Sequence, residues 1–382
     1  MPFSNVPHEV LLRQGHVIDP SQGLDQVQDV RFLNGVVAEI GLNLTAGVDA
    51  DVRNVAGMIV TPGLIDLHTH VYWGGTSIGV DPIALARQSS TATLVDAGTS
   101  GAGNLLGFRK HVIEPSAPLR ILPLLNISFP GIFAFSRTVR MGECEDLRLL
   151  DMNSCISVAR EHADLVVGIK VRVGRGSSGT RGVAPLDMAI EVAEALGLPV
   201  MAHIDYIPPT RTEVLSRLRK GDILTHCFKP PPNAPITPAG AVRGEVQDAL
   251  ARGVIFDIGH GGGSCSFTTS RAMLKAGIQP DVISSDVHLL SANGPAIDLL
   301  HTLAKFHVLG MSLYDVVACA TVNAARAIRR PALGTLKPGV GTDASIFKVF
   351  DQPTLYKDAA GESLLGHLRF EAHGLVLAGR WW

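Results

Sequence analysis

The stretch DLVVGIKVRVG, residues 164–174, has the composition of a buried β-strand, yet it carries a lysine in its middle. The run is apolar and β-branched and is bounded by glycine, so the ammonium of Lys170 would point into a core or a pocket. Burying a charged amine costs free energy unless something compensates the charge. An edge strand with Lys170 and Arg172 on a solvated face is the alternative, and this segment alone leaves both open.

On either side of this strand, short apolar runs alternate with helical patterns from about residue 61 to residue 332. The run APLDMAIEVAEALGLP, residues 184–199, predicts a helix because its apolar residues recur at helical spacing and Gly197 and Pro199 end it. Eight runs are candidate strands: MIVTPGLIDLHTH (58–70), ATLVDAG (92–98), RILPLLNIS (120–128), DLVVGIKVRV (164–173), LPVMAH (198–203), DILTH (222–226), GVIFDIG (253–259) and PDVISSD (280–286). Eight repeats of this size predict a closed (β/α)8 TIM barrel, with an open doubly wound sheet as the alternative.

Both ends of the chain predict β-structure. HEVLLRQGHVIDP (8–20) and DVRFLNGVVAEIG (29–41) alternate partly between apolar and polar residues, and Asn34-Gly35 is a strong hairpin signal. ASIFKVF (344–350) and RFEAHGLVLAGRWW (369–382) have strand composition as well. We therefore expect an α/β protein in which residues 1–60 and 336–382 form a small β-sandwich domain beside a barrel at residues 61–335.

Composition favours a small-molecule substrate. The formal net charge of −2 gives no reason to expect a nucleic-acid or membrane partner. The five cysteines form no C-x-x-C pair, which disfavours a thiolate zinc site or a disulfide framework and fits a cytoplasmic location. The start MPFSNVPHEV lacks signal-peptide features, and no run of about 20 apolar residues occurs. Assembly into a homo-oligomer stays open.

Unusual polar residues fall at the ends of the candidate strands. His68 and His70 are two residues apart, so both side chains leave one face of an extended strand. A histidine that ends one strand is commonly a hydrogen-bonded core residue, and an aspartate there is commonly a helix cap. If these polar residues all lie in one register, their side chains meet at the carboxyl-terminal mouth of the barrel. The six residues are His68, His70, Lys170, His203, His226 and Asp286. Four imidazoles and a carboxylate suit zinc, or manganese, iron or cobalt.

A metal site gives the lysine a role. An ammonium has no lone pair to offer a cation, and cations would repel it. A lowered pKa frees the amine of Lys170, which can add carbon dioxide and become a carbamate. The carbamate carries two oxygens and a negative charge, enough to bridge two metals roughly 3.5–4 Å apart.

With these residues in view, the sequence resembles the amidohydrolase superfamily of metal-dependent hydrolases, in the group of dihydroorotases, dihydropyrimidinases and D-aminoacylases. PGLIDLHTH (62–70) resembles that family's first strand, and the strand lysine, strand-end histidines and final aspartate follow. LVDAGTSGAGN (94–104), GIKVRVG (168–174) and DIGHGGGSCSF (257–267) are more similar to the amidohydrolase/deacetylase branch. TVNAARAI departs from the pattern, with Ala324 where many relatives have proline.

The resemblance implies a dinuclear centre, with zinc as the first choice. His68 and His70 would bind the more buried metal together with Asp286, His203 and His226 would bind the second, and carbamylated Lys170 would bridge both. It also implies that a hydroxide shared by the metals attacks an acyl carbon while Asp286 acts as general acid and base. The products are a carboxylate and an amine or alcohol, as in a deacetylase.

Two residues are nominated for substrate contact. His260, in the run DIGHGGG, is expected at the same mouth, where it either binds the substrate carbonyl or anchors a loop. Arg172 leaves the same strand face as Lys170, where it either holds a substrate carboxylate or forms a structural salt bridge.

Three alternatives compete with the deacetylase interpretation. One is a cyclic amidohydrolase of the dihydroorotase or hydantoinase type. Another is a Schiff-base lyase with Lys170 as nucleophile, which leaves the four histidines and Asp286 without a role. The third is a non-catalytic scaffold protein of the superfamily, although such relatives typically lose metal ligands and none is missing here. The identities of the substrate and the metal do not follow from the sequence.

Overall fold

The computed structural model describes residues 8–382, and its strands form two sheets. In chain order the strands are β1 Glu9–Asp19, β2 Leu24–Leu33, β3 Val36–Gly41, β4 Asp51–Asn54, β5 Ile59–Pro62, β6 Leu64–Thr69, β7 Thr91–Gly101, β8 Arg120–Asn126, β9 Gly168–Val173, β10 Val200–Ile204, β11 Ile223–Leu224, β12 Ile255–Phe256, β13 Ala344–Lys357, β14 Ser363–Leu377 and β15 Arg380–Trp381. The α-helices are α1 Pro82–Ser89, α2 Leu105–Phe108, α3 Met152–Glu161, α4 Arg175–Ser178, α5 Ala184–Leu196, α6 Arg211–Leu215, α7 Gly244–Ala251, α8 Phe267–Lys275, α9 Leu299–Val308, α10 Leu313–Ala320 and α11 Val322–Ala327.

The central sheet is parallel and has the order β12-β11-β10-β9-β8-β7-β6. Each strand pairs with the next along the chain, as expected for successive β/α units. Helix α5 covers the predicted helical run and ends at Gly197, whose φ of 65° closes the helix in the left-handed region. Its buried face, which includes Leu186 and Val192, packs against β9 and joins the main hydrophobic core.

Residues 281–287 lie between the two outer strands of this sheet. Single parallel bridges join Asp257 to Val282 on one side and Thr69 to Val287 on the other. The N–H of Asp286 also donates to the carbonyl of His68 at 2.7 Å. The candidate strand PDVISSD is not a regular strand in the structure: Val282 and Val287 form single bridges, and Asp286 has left-handed backbone with a φ of 49°.

The second sheet is mixed and is built from both ends of the described chain. Its order is β15-β14-β13-β5-β1-β2-β3, and β4 pairs with β1. The predicted hairpin turn at Asn34 and Gly35 joins β2 and β3, and both residues have positive φ angles, 52° and 81°. Buried Asp19 accepts a hydrogen bond from the N–H of Leu336 at 2.7 Å, which ties the first strand to the segment that leads back into this sheet.

Within residues 8–382, no helix has both the length and the apolar composition that crossing a bilayer requires.

Candidate metal centre and substrate cavity

The parallel sheet brings all six predicted polar side chains to one end. His68 lies in β6 and His70 directly follows that strand, while Lys170 lies in β9 and His203 in β10. His226 follows β11 by two residues, and Asp286 comes from the segment at 281–287. All six side chains line a single cavity.

Within this group the donor atoms approach one another closely. Asp286 Oδ1 lies 3.3 Å from Nε2 of His68 and 3.3 Å from Nε2 of His70. The His203 and His226 rings have centroids 4.5 Å apart, and those of His68 and His226 are 5.2 Å apart. One donor atom each from His68, His226 and Asp286 fall within 4.8 Å of one another. Imidazole nitrogens and a carboxylate at this spacing form a donor set suited to a divalent cation.

Hydrogen bonds on the far side of the His68 ring fix its tautomer. Nδ1 of His68 lies 2.9 Å from the hydroxyl of Thr225, and that hydroxyl donates to Asp257 Oδ2 at 2.7 Å. A hydroxyl has one hydrogen, so Thr225 must accept from Nδ1–H of His68. The lone pair of Nε2 is therefore left facing Lys170 and Asp286.

His70 is held in the same way. Its Nδ1 lies 2.8 Å from the hydroxyl of Thr99, which donates to Asp96 Oδ2 at 2.8 Å. For His226 the partner of Nδ1 is the carbonyl oxygen of Gly259 at 2.7 Å, which can only accept a hydrogen bond. Three imidazoles thus present an unprotonated Nε2 to the cluster, as metal ligation requires.

His203 differs from the other three histidines. Among the described residues, its buried Nε2 has no hydrogen-bond partner, and Asp205 Oδ2 lies 3.8 Å away. A buried ring nitrogen without a partner is costly in a protein interior.

Burial keeps the cluster in the charge state that a cation site needs. It lowers the pKa of His70 to about 3 and holds the pKa values of His68, His203 and His226 well below the usual range, so the imidazoles are neutral near pH 7. Burial also lowers the pKa of Lys170 and raises that of Asp286. Lone pairs, not hydrogens, therefore predominate on the nitrogen donors at neutral pH.

The structure shows whether Lys170 is buried or lies on a solvated edge strand. Strand β9 lies between β8 and β10, so the edge-strand alternative is wrong, and Lys170 is fully buried. Its Nζ lies 3.3 Å from Nε2 of His68 and 3.2 Å from the sulfur of Met201. An imidazole nitrogen and a thioether stabilise an ammonium poorly, which agrees with the lowered pKa of this amine.

Two of the site residues sit on unusual backbone. His226 and Asp286 have φ angles of 62° and 49°, in the left-handed region that non-glycine residues rarely adopt. His226 follows β11 by two residues, and Asp286 lies near the end of the segment at 281–287. Such conformations persist where surrounding contacts hold them, and they concentrate at functional sites.

The cluster forms the floor of a cavity of about 660 Å³. This size suits a small molecule. Four basic side chains contribute to the wall, whereas the acidic wall residues other than Asp286 are Glu145 and Asp205. The basic residues, apart from Lys170, are Arg140, Arg172, Arg175 and Lys229.

Of the two residues nominated for substrate contact, Arg172 lines this cavity. Its Nη2 donates to the hydroxyl of Ser177 at 2.9 Å, and its Nε lies 3.4 Å from the buried carboxylate of Glu143. The guanidinium also lies over the ring of Phe135, 5.1 Å from its centroid. Arg172 therefore combines a structural ion pair with a position on the cavity wall.

His260 is placed differently from its prediction. The side chain is fully buried and is absent from the cavity lining. Nε2 lies 2.9 Å from Nζ of Lys305, itself buried, and Nδ1 lies 3.0 Å from the carbonyl oxygen of Gly261. The expectation that His260 contacts the substrate is therefore wrong, because both of its ring nitrogens contact protein groups outside the cavity.

Sequence reasoning missed the residues that orient the ligands. Asp96 and Asp257 are fully buried carboxylates, and Thr99 and Thr225 connect them to imidazoles. The runs LVDAGTS and GVIFDIG carried a signal, because each places an aspartate within or directly after an apolar strand. Thr99 lies 29 residues from His70 and Thr225 lies 157 residues from His68, so the contacts themselves could not be read from the sequence.

Comparison with known proteins shows several similar sequences. The chain is 33% identical over 329 residues to a deacetylase of Agrobacterium fabrum, an alignment that covers 86% of this chain and 80% of the relative. It is 30% identical over 357 residues to a deacetylase of Enterococcus faecalis, covering 93% of both. No protein-family model matches the chain.

Solved structures are also similar. A crystal structure of an adenine deaminase has a TM-score of 0.90 with 27% sequence identity, covering 98% of this chain and 99% of the other. A crystal structure of a dihydroorotase has a TM-score of 0.88 with 31% identity, covering 98% of this chain and 97% of the other.

Proposed function

The chain belongs to the amidohydrolase superfamily and is a metal-dependent hydrolase, and from this premise we propose that it deacylates a small N-acyl or O-acyl compound. The observation that carries the proposal is the convergence of four histidines, one lysine and one aspartate on the floor of a single cavity. The identity of 33% with a deacetylase over most of both chains favours acyl transfer to water.

We propose that the cluster holds two divalent cations, with zinc as the first choice. His68, His70 and Asp286 would hold one, and His203 and His226 the other. The donor set fits this role because three of the imidazoles have their Nδ1 atoms engaged elsewhere and because Nε2 of His203 has no hydrogen-bond partner among the described residues. When bound, the cations would acidify the attacking water and polarise the acyl oxygen of the substrate.

Lys170 is proposed to act as a carbamate. Its uncharged amine would add to the carbon of carbon dioxide and lose a proton, which leaves an anionic side chain with two oxygens. Burial supports this reaction because it lowers the pKa of Lys170 and so raises the fraction of free amine near neutral pH. The amine also lies within 3.3 Å of Nε2 of His68, so its product stands among the proposed ligands.

Asp286 is proposed to move the proton. Its Oδ1 lies at the centre of the cluster, 3.3 Å from Nε2 of both His68 and His70. Burial raises the pKa of this carboxyl above its usual value, which makes it a better base and a usable acid near neutral pH. It would take a proton from the attacking water and deliver it to the leaving nitrogen or oxygen.

The cavity wall suggests an anionic group on the substrate. Arg140, Arg172, Arg175 and Lys229 contribute positive charge, and Arg172 is held in place by Ser177 and Glu143. A carboxylate is the group that guanidinium recognises best. N-acyl amino acids, O-acyl hydroxy acids and cyclic ureide acids all carry one.

A cyclic amidohydrolase is the second candidate. A dihydroorotase structure with 31% identity has a TM-score of 0.88, and a dihydroorotase of Geobacter sulfurreducens is 52% identical over 81 residues, which are 21% of this chain and 19% of the relative. Ring opening of a cyclic ureide uses the same attack on an acyl carbon. A substrate panel separates the two candidates directly.

The finer architecture is also a proposal. We infer that residues 281–287 close the parallel sheet into an eight-membered (β/α)8 barrel, because this segment bridges both outer strands. Residues 61–335 would form this barrel, and residues 1–60 with 336–382 the small β-sandwich domain, of which residues 1–7 lie outside the described part. A cytoplasmic location is supported by the five cysteines, which are all buried and free.

Elemental analysis and a substrate panel test the proposal. The parent protein should hold two metal ions per chain and hydrolyse at least one member of a panel of N-acetyl amino acids, acetylated hydroxy acids, hydantoins and dihydroorotate. Lys170→Ala should lose metal and activity, and a short carboxylic acid should restore part of both. Lys305→Met is the matched control, since Lys305 is equally buried but contacts His260 and Pro295. A parent without metal, or equal metal loss in both variants, would contradict the dinuclear site.

A further inference from the structure

We infer that Thr99 and Thr225 are positioning residues that hold the two histidines of one cation site in their ligating orientation. The inference rests on the proposed function, because it concerns the binding of that cation. Each threonine stands between a buried carboxylate and an imidazole, an arrangement named here a hydroxyl relay. One relay is Asp257, Thr225 and His68, and the other is Asp96, Thr99 and His70.

Each relay has a defined direction of donation. The hydroxyl of Thr225 donates to Asp257 Oδ2 at 2.7 Å, while Ser284 Oγ donates to Oδ1 of the same carboxylate at 2.6 Å. Asp96 accepts from the hydroxyl of Thr99 and also from the backbone N–H groups of Thr99 and Val71, each at 2.8 Å. If either threonine hydroxyl turned towards its histidine and donated to Nδ1, a buried carboxylate would lose one of its donors, which is costly.

The hydroxyl is needed because the carboxylate does not reach the ring. His68 Nδ1 and Asp257 Oδ2 are 3.7 Å apart, beyond the length of a good hydrogen bond. Without the hydroxyl of Thr225, the ring would keep no close acceptor for Nδ1–H on this side, and it could rotate or change tautomer. The β-branched side chain of threonine adds restraint, since its χ1 angle is stiff.

Close packing limits other ways of holding these rings. A Cβ placed on Gly259 would clash with Thr225 Oγ1 and would lie 2.9 Å from His226 Nδ1 and 3.0 Å from His68 Nδ1. The backbone at Gly259 therefore approaches Thr225 and the rings of His68 and His226 too closely for a side chain. This packing leaves the relay as the feature that sets the direction of the His68 ring.

Both relays serve histidines proposed to hold the same cation. Loss of either hydroxyl should weaken that cation's site and leave the site formed by His203 and His226 less affected. Removal of a hydrogen-bond partner behind a ligating histidine typically costs 10–100-fold in metal affinity, so we expect roughly that loss. The metal content should fall from two ions per chain towards one.

The experiment compares isosteric variants by zinc titration of the full chain. Thr225→Val and Thr99→Val remove the hydroxyl at nearly constant volume, and Thr225→Ser and Thr99→Ser keep it. Thr69→Val is the matched control: Thr69 is buried between the two histidines in sequence, but its hydroxyl donates to the carbonyl of Val95 at 2.9 Å. Zinc dissociation constants come from equilibrium dialysis against a zinc buffer, with elemental analysis of each sample.

The inference predicts weaker zinc binding in both valine variants, with affinity near the parent in the serine variants and in Thr69→Val. Valine variants that bind zinc as tightly as the parent would overturn it, and so would an equal loss in Thr69→Val. Where circular dichroism shows that Thr225→Val does not fold, Asp257→Asn tests the same relay, because an amide cannot accept from both Thr225 and Ser284. A parent chain that binds no zinc would instead defeat the proposed function, so the two failures are distinguishable.

Discussion

Gly98 is a position at which one added methyl group should disturb Lys170 directly. Its φ of 81° lies in the region that favours glycine, and a Cβ built there would lie 2.5 Å from Cγ and 2.6 Å from Cβ of Lys170. Carbon atoms in contact prefer about 3.5–4.0 Å, so Gly98→Ala must move the lysine by roughly 1 Å. We therefore expect the variant to lose both stability and metal.

The expected loss of unfolding free energy in Gly98→Ala has two parts. A non-glycine residue in left-handed backbone costs about 1–2 kcal/mol, and an extra methyl group in a packed interior costs about 1–3 kcal/mol. Gly98→Ala should therefore lower the free energy of unfolding by about 2–5 kcal/mol. Because a displacement of about 1 Å in a catalytic group can cost about 100-fold in rate, kcat should fall by about that factor.

Gly197→Ala isolates the backbone contribution. Gly197 has a φ of 65° at the end of α5, and a Cβ there would meet no atom within 4 Å. Urea denaturation of both variants, with elemental analysis and initial rates, measures the difference. Gly197→Ala should lose about 1–2 kcal/mol and keep its metal and activity. If Gly98→Ala is no less stable than Gly197→Ala and retains full metal content, the proposed crowding of Lys170 is wrong.

Three further predictions concern single side chains. Asp286→Asn should lower kcat by roughly 10²–10⁴-fold, as expected when a general acid and base is removed, and a pH–rate profile that keeps its acidic limb would contradict this role. Arg172→Lys should raise KM about tenfold for substrates with a carboxylate, because lysine cannot form the bidentate hydrogen bonds of a guanidinium. The KM for neutral N-acyl compounds should stay unchanged. Equal effects on both substrate classes would argue against carboxylate binding by Arg172. In the metal-free protein, the neutral ring of His70, with its pKa near 3, should contribute stability above pH 6.5 that is lost as the pH falls, because only the unfolded chain takes up the proton. The drop in unfolding free energy between pH 7.5 and pH 5 should accordingly be about 2 kcal/mol smaller in His70→Gln than in the parent, and urea denaturation at both pH values checks this difference.

Local patterns were sufficient to identify the family and most of the regular elements. The resemblance based on PGLIDLHTH and the later strand-end residues is confirmed by relatives with 33% and 30% identity. The helix predicted at residues 184–199 is α5, and seven of the eight candidate strands lie in the parallel sheet. These predictions worked because apolar periodicity and glycine or proline stops act over a few residues.

His260 and the eighth strand show where local patterns fail. The position of His260 next to glycines resembled an exposed mouth residue, but Lys305, 45 residues later, approaches its ring and buries it. The run PDVISSD has strand composition, yet Ser285 donates its backbone N–H to the carboxylate of Asp66 at 2.9 Å, and Asp286 turns into left-handed backbone. In both cases a partner distant in sequence outweighed the local preference.

By itself, the sequence determined which residues could serve as ligands, since donor atoms and their strand-end positions are local properties. Only the tertiary structure decided which ring nitrogen each histidine presents. That choice depends on hydroxyl groups and carboxylates brought from other strands, such as Thr225, 157 residues from His68. A hydrogen bond forms only within about 3 Å, so the folded chain alone can decide such pairings.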